Sequence, residues 1–179
     1  MMIPDRIDHT KKLAKAQSAN LLTLFNLSLG IIALVLIMSK HLHMSLLMIF
    51  LAALCDRFDG GLARKLDIQS HFGKELDSLC DLVSFGIAPA FLIFEGIMHH
   101  ARILGLVMTI FYILCSAIRL ARFNVTEFDG KFQGLPITAA GCILTLSYVG
   151  IHHLPLSVFL LLTFVLSLLM VSTFRVSKV

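Results

Sequence analysis

The sequence predicts an all-α integral membrane protein of six transmembrane helices, with a short amphipathic helix in front of them, and three observations carry that prediction. Of its 179 residues, 58% are hydrophobic and only 15% charged, against about 45–50% apolar and about 25% charged in an ordinary soluble domain. The mean hydropathy of +0.89 is too high for a chain that must cover its own core with a polar skin. The apolar residues gather into six runs of about the length that spans a bilayer, and the charges fall mostly in the breaks between them.

Residues 1–19 form a cytoplasmic juxtamembrane segment. In it Arg6, Lys11, Lys12 and Lys15 are interleaved with Ile3, Ile7, Leu13 and Ala14, the pattern of a short helix lying on the membrane surface. A cleaved signal is not expected, because the first apolar run is longer than a signal h-region and has no A-x-A-like exit. Residues 20–179 form the membrane domain, with spans at about 21–39, 43–64, 73–95, 102–125, 134–151 and 154–173. Short breaks make most connections helical hairpins. Nothing alternates with period two over enough segments for a barrel, and there is no internal repeat or interdomain linker.

Lys and Arg exceed Asp and Glu by 15 to 11. Their placement between apolar runs excludes a nucleic-acid binder and sets an orientation instead. One side of the six spans carries Arg6, Lys11, Lys12, Lys15, Arg64, Lys65, Lys74, Arg119, Arg122, Lys131, Arg175 and Lys178; the other has only Lys40 and Arg102. Both termini are therefore expected in the cytoplasm, in a multi-pass protein of a bacterial-type inner membrane. Cys55, Cys80, Cys115 and Cys142 lie one per apolar segment without a C-x-x-C and read as buried small hydrophobes. His41, His43, His99, His100, His152 and His153 fill the outward breaks, where they read as interfacial loop residues.

The chemistry lies where spans two and three meet. Asp56 and Asp59 are three residues apart and Asp77 and Asp81 four, so each pair projects from one face of its helix. An ionised Asp at a helix centre costs about 2.5–3.5 kcal/mol on insertion scales, so something cationic must neutralise the four. Oxygen ligands with no His or Cys among them suit Mg²⁺, Mn²⁺ or Ca²⁺ rather than zinc. Two such ions about 3.5–4 Å apart would clamp a diphosphate during in-line phosphoryl displacement. The competing expectation is structural ion pairing with Arg57, Arg64 and Lys74, against which Gly60, Gly61 and Gly73 leave room for a ligand at the backbone.

The run Asp56-x2-Asp59-Gly60-x2-Ala63-Arg64-x8-Gly73-x3-Asp77-x3-Asp81 resembles the signature of the CDP-alcohol phosphatidyltransferases, membrane enzymes that move a phosphatidyl group from a CDP-lipid to an alcohol. Further stretches are similar to the serine-accepting branch of that family. They are Asn20-x2-Thr23-x2-Asn26-x3-Gly30, Glu75-Leu76-Asp77-Ser78, Asp81 through Ala90, Arg119 through Asn124, Gly134-Leu135-Pro136-Ile137 and Ala139-Ala140-Gly141. Ala19 and Phe25 stand where the branch has a proline and a glycine.

The resemblance implies CDP-diacylglycerol and L-serine as substrates and two divalent cations held by Asp56, Asp59, Asp77 and Asp81, with Asp81 also the general base. It further implies Asn20, Thr23, Asp56, Gly60, Ala63, Arg64, Ser70 and Gly73 around the CDP-lipid. Arg119 and Arg122, one turn apart, are expected to grip the serine carboxylate, beside Ser78 and Asn124. Ser78, Ser84, Asn26 and Asn124 either line the acceptor pocket or bond between helices. A homodimer is expected, with Gly86-x3-Ala90 and Ala139-Ala140-Gly141 as close-packing surfaces. Other acceptors, such as glycerol 3-phosphate or an inositol compound, remain alternatives within the family, and a transporter with intramembrane carboxylates is a remote one. A phospholipase D-type mechanism is excluded, since His9-x-Lys11 is followed by Ala16 where its Asp belongs.

Overall fold

The computed structural model describes residues 3–66, 71–125, 132–172 and 175–176, with side chains for 20–57, 72–125 and 134–172. Seven α-helices follow one another: α1 Ile3–Met38, α2 Leu42–Leu66, α3 His71–Asp81, α4 Ala88–Gly96, α5 Ile103–Val125, α6 Ile137–Ser147 and α7 Leu156–Val171. A π-helical turn at Leu82–Ile87 joins α3 to α4, making one apolar helix over Phe72–Gly96. Two-residue strands β1 Phe132–Gln133 and β2 Arg175–Val176 pair antiparallel.

Among the described residues, three helical stretches are long and apolar enough to cross a membrane: Asn20–Met38, Phe72–Gly96 and Ile103–Val125. Two further apolar helices, Ile137–Gly150 and Leu156–Val171, are shorter. Their brevity has a local cause. Pro136 and Pro155 sit at the N-caps of α6 and α7 with extended ψ of 141° and 155°, so each helix begins only after its proline. A 3₁₀ turn at Tyr148–Gly150 then closes α6.

The amino-terminal segment differs from the separate surface helix expected for residues 1–19. Residues 3–19 continue into the first apolar stretch as a single helix of 36 residues, about 54 Å long. The sequence Ala14-Lys-Ala-Gln-Ser-Ala-Asn20 contains neither glycine nor proline, so nothing breaks the helix there.

α1 packs mainly on α2 and α3, and α5 packs on α7. The core joins Leu29, Ala33 and Ile37 of α1 to Phe85, Ala88 and Leu92 of the third helical unit and to Tyr112, Leu144 and Phe159. Hydroxyls buried among these helices bond to the carbonyl one turn back, as Thr109 does to Gly105 O at 2.9 Å and Ser116 to Tyr112 O at 2.8 Å. At the far end Lys40, in the turn after α1, pairs with Glu95 of α4.

The π turn follows from its neighbours. Pro89 has no N–H to give Phe85 O, and the buried Tyr112 hydroxyl donates to that carbonyl at 3.3 Å. Gly141 allows α6 onto the same place, since a Cβ there would stand 2.7 Å from Phe85 O. The small-residue stretches expected to form a dimer face are thus consumed inside the protomer. Gly86, Ala90 and Ala140 are buried, and a Cβ on Gly86 would meet Ser116 at 3.3 Å. Small residues signal close approach, but not whether the approaching backbone belongs to the same chain.

Gly141→Ala should therefore force α6 away from Phe85 and cost about 1–3 kcal/mol, read as a lower apparent unfolding temperature in detergent. Ile143→Ala, on the exposed side of α6, should leave that temperature nearly unchanged.

Candidate active site

Asp56 on α2 and Asp77 and Asp81 on α3 come together. Each contributes an oxygen, and these oxygens all lie within 4.8 Å of one another. The i, i+4 spacing puts Asp77 and Asp81 on one stripe of α3. Asp56 reaches them from the neighbouring helix, although all three side chains are only part-buried. Asp81 feels the negative charges of Asp56 and Asp77 and the opposing positive charge of Arg119 on α5. Its buried Oδ1 has no hydrogen-bond partner, and neither has the buried Nε of Arg119. An acceptor left unpaired among carboxylates fits a hard cation, whose oxygen ligands it would complete. Among the described residues no other group of three potential metal ligands occurs, the outward histidines included.

Lys74 does not neutralise this cluster, as the ion-pairing expectation had it. Its Nζ donates to Phe123 O at 3.2 Å and Asn124 O at 3.4 Å, capping the C-terminal end of α5, and lies 5.0 Å from the Phe123 ring centroid. The same two helix ends are tied by side chains. Ser78 Oγ donates to Asn124 Oδ1 at 3.0 Å, and Asn124 Nδ2 donates to Glu75 Oε2 at 2.8 Å. The stretches Glu75–Ser78 and Arg119–Asn124, far apart in sequence, therefore clasp each other. The clasp fixes α3 against α5 next to Asp77 on one side and Arg119 on the other.

Of the residues expected at the site, Asp56, Asp77, Asp81 and Arg119 are brought together. Thr23 is buried on α1 one turn after the part-buried Asn20, and Gly73 lies in the first turn of α3. Arg122 goes elsewhere, its Nη1 donating to Val171 O at the end of α7 at 2.9 Å. Ser78 and Asn124 are bonded to each other, the interhelical alternative for that pair. Ser70 and the side chains of Asp59, Gly60, Ala63 and Arg64 lie outside the described residues. Sequence reasoning missed the parts of Lys74 and Glu75 in the clasp. The signal was present, since both are charged residues one turn before Ser78 on the same helix.

A predominantly helical membrane fold with carboxylates gathered at the meeting of two helices has the ligand type that metal-assisted phosphoryl transfer needs. The comparisons make this specific: the family model for CDP-alcohol phosphatidyltransferase matches residues 16–176, and the chain belongs to that transferase family. Among its relatives is the CDP-diacylglycerol–serine O-phosphatidyltransferase of Bacillus subtilis, 35% identical over 130 residues, covering 72% of this chain and 73% of the relative. The Methanocaldococcus jannaschii protein of the same name is 37% identical over 158 residues, covering 87% and 71%. An archaetidylserine synthase from Methanothermobacter thermautotrophicus is 36% identical over 164 residues, covering 89% and 69%.

Asn124→Ala removes two interhelical hydrogen bonds at once. At about 0.6 kcal/mol for each such bond inside a membrane protein, the variant should lose about 1 kcal/mol of stability. Glu75→Ala in the same background should add little, a non-additivity readable in a thermal double-mutant cycle.

Proposed function

We propose that this chain transfers the phosphatidyl group of CDP-diacylglycerol to the hydroxyl of L-serine, giving phosphatidylserine and CMP. The observation that carries the reading is the convergence of Asp56, Asp77 and Asp81 beside Arg119. The names of the relatives support the acceptor: they differ in the lipid that they specify, diacylglycerol or archaetidyl, yet share serine.

In this reading Asp56, Asp59, Asp77 and Asp81 hold two divalent cations, Mg²⁺ or Mn²⁺ with Ca²⁺ also admissible by ligand type. Bound there, the cations supply the positive charge that the diphosphate requires as electron density moves onto the leaving group. Asn20, Thr23, Gly60, Ala63, Arg64, Ser70 and Gly73 surround the nucleotide and its phosphates. Asp81 takes the serine hydroxyl proton. The serine oxygen bonds to the lipid-side phosphorus, the bond from that phosphorus to the bridging oxygen breaks, and CMP leaves with the electron pair. Arg119 pairs with the serine carboxylate, while Arg122, Ser78 and Asn124, which already have protein partners, hold the wall of that pocket.

Six spans within residues 20–179, with both termini and the site on the cytoplasmic side, complete the reading, supported by the one-sided distribution of Lys and Arg. The homodimer belongs to it as well. Its face must differ from the two buried small-residue stretches, and light scattering of the detergent complex checks the oligomeric state.

A headgroup panel tests the acceptor. Purified protein with CDP-diacylglycerol should release CMP with serine and not with glycerol 3-phosphate or an inositol compound. Product from glycerol 3-phosphate alone would sink the serine assignment. Asp56→Asn and Asp77→Asn should abolish turnover and Mn²⁺ binding, and chelation should stop the reaction until Mg²⁺ or Mn²⁺ is restored. Asp81→Asn should lower kcat by about 10²–10⁴.

The two arginines should separate in kinetics. Arg119→Lys should raise the KM for serine about 10- to 100-fold, because an ammonium cannot reproduce a guanidinium fork, and leave the KM for CDP-diacylglycerol little changed. Arg122→Lys should act mainly on thermal stability. An unmoved serine KM in the Arg119 variant places the carboxylate site elsewhere.

A further inference from the structure

Of the polar groups expected either to line the acceptor pocket or to bond between helices, one has a side-chain oxygen without a partner. Asn26 of α1 is 1% exposed, and its Oδ1 has no hydrogen-bond partner. Its backbone is engaged, since Ser84 Oγ donates to Asn26 O at 3.2 Å. Ser84 also presses on α1 one turn further along, where a Cβ at Gly30 would stand 2.5 Å from Ser84 Oγ. These contacts fix the level at which α1 meets the third helical unit.

The direction in which Asn26 points follows from helix geometry. Ser84 lies level with Asn26, and Glu95 near the end of α4 pairs with Lys40 just beyond the end of α1, so α1 and the third helical unit run the same way. Helical side chains lean toward the N-terminal end of their own helix, so Asn26 leans from the level of Ser84 toward that of Asp81, one turn earlier. Asp81 Oδ1 and Arg119 Nε are the other unpartnered polar atoms of this region. Two acceptors and a donor are thus left open on α1, α3 and α5, one of them on the group assigned as the base.

That set is complementary to a zwitterion with a reactive hydroxyl. A carboxylate needs the donor on Arg119, a hydroxyl needs the acceptor on Asp81, and an ammonium group needs an acceptor, which Asn26 Oδ1 offers without drawing on the carboxylate cluster. Leaving a buried amide oxygen dry is costly, and an ammonium would satisfy it with a charge-assisted bond. We propose that Asn26 Oδ1 receives the ammonium group of the acceptor and thereby selects an amino acid over a polyol or its phosphate. The inference rests on the serine reading above and assigns a specificity-determining residue to it. Glycerol 3-phosphate or an inositol would offer Asn26 only a neutral hydroxyl donor in place of a charge-assisted ammonium bond, a weaker match at the same position.

The test uses the full chain in detergent with CDP-diacylglycerol and Mg²⁺ or Mn²⁺. Serine is the substrate, and glycerate, which replaces the ammonium by a hydroxyl, is the competitor. Asn26→Ala keeps the Ser84 bond, because that bond goes to the backbone. It should raise the KM for serine about 10- to 100-fold, while the inhibition constant of glycerate, whose hydroxyl makes only a neutral bond there, rises by a much smaller factor and the KM for CDP-diacylglycerol stays within about twofold. Arg119→Lys should weaken serine and glycerate together, since both carry the carboxylate. Asn26→Asp, which preserves an acceptor oxygen, should retain most of the serine affinity and bind glycerate less well; it covers the case in which the alanine variant does not fold. Equal weakening of serine and glycerate by Asn26→Ala would mean a purely structural asparagine and would overturn the proposal. Serine KM unchanged in that variant would overturn it too. If the wild-type protein prefers glycerol 3-phosphate to serine, the underlying acceptor reading falls instead, whatever the Asn26 variants do.

Discussion

Negative charge in a low-dielectric layer is the constraint on which this molecule is built. Carboxylates cost too much to be left alone among apolar helices, and the described cations do not crowd onto them. Lys74 donates to the end of α5, Arg122 to the end of α7, and Arg119 stays within electrostatic reach of Asp81. What remains is an arrangement that is unfavourable by itself and becomes favourable when cations enter. Stability and metal binding would be linked in that way: the same oxygens that repel one another in the protein are those that could hold a metal ion.

Holding such a cluster open requires rigid surroundings, and the polar contacts around it serve that end. The ties among Lys74, Glu75, Ser78 and Asn124 join α3 to α5 just beyond the acidic stripe. The turn at Gly134, with φ of +70°, lets its backbone run against the last carbonyls of α7, where Leu135 N–H donates to Leu169 O at 3.1 Å. Arg122 reaches the same helix end. Both devices sit at helix termini, where backbone carbonyls lack helical partners and accept donors at no loss to the helix.

The apolar runs made the helices and their order legible in the sequence, and the carboxylate spacing made Asp56, Asp77 and Asp81 legible as one site. Other features were not. Where α6 and α7 begin was written in Pro136 and Pro155, but a count of apolar residues passes over both. Ser78 and Asn124 were recognisable as polar groups in apolar runs. That they would choose each other, and bring in Glu75, depends on the distance between two helices, which no local pattern encodes. Gly86 and Ala139 through Gly141 announced close packing truthfully and misled about the partner, because intrachain and interchain approach need the same small residues.

The π turn between Asp81 and Ala88 has a consequence for how the third helical unit should be drawn. In an unbroken α-helix, Ala88 and Leu92 would fall on the stripe of Asp77 and Asp81, since separations of 4, 7 and 11 residues return to one face. One additional residue in the turn shifts everything beyond it by about 100°. The segment therefore changes phase partway along. Before the turn it offers carboxylates to a polar site, and after it the fully buried Ala88 and Leu92 face the apolar core. A single transmembrane element can serve two incompatible environments without an extra helix. A helical wheel drawn straight through residues 72–96 would superimpose them, whereas a one-residue deletion within 82–87 would absorb the π turn and leave the two faces apart.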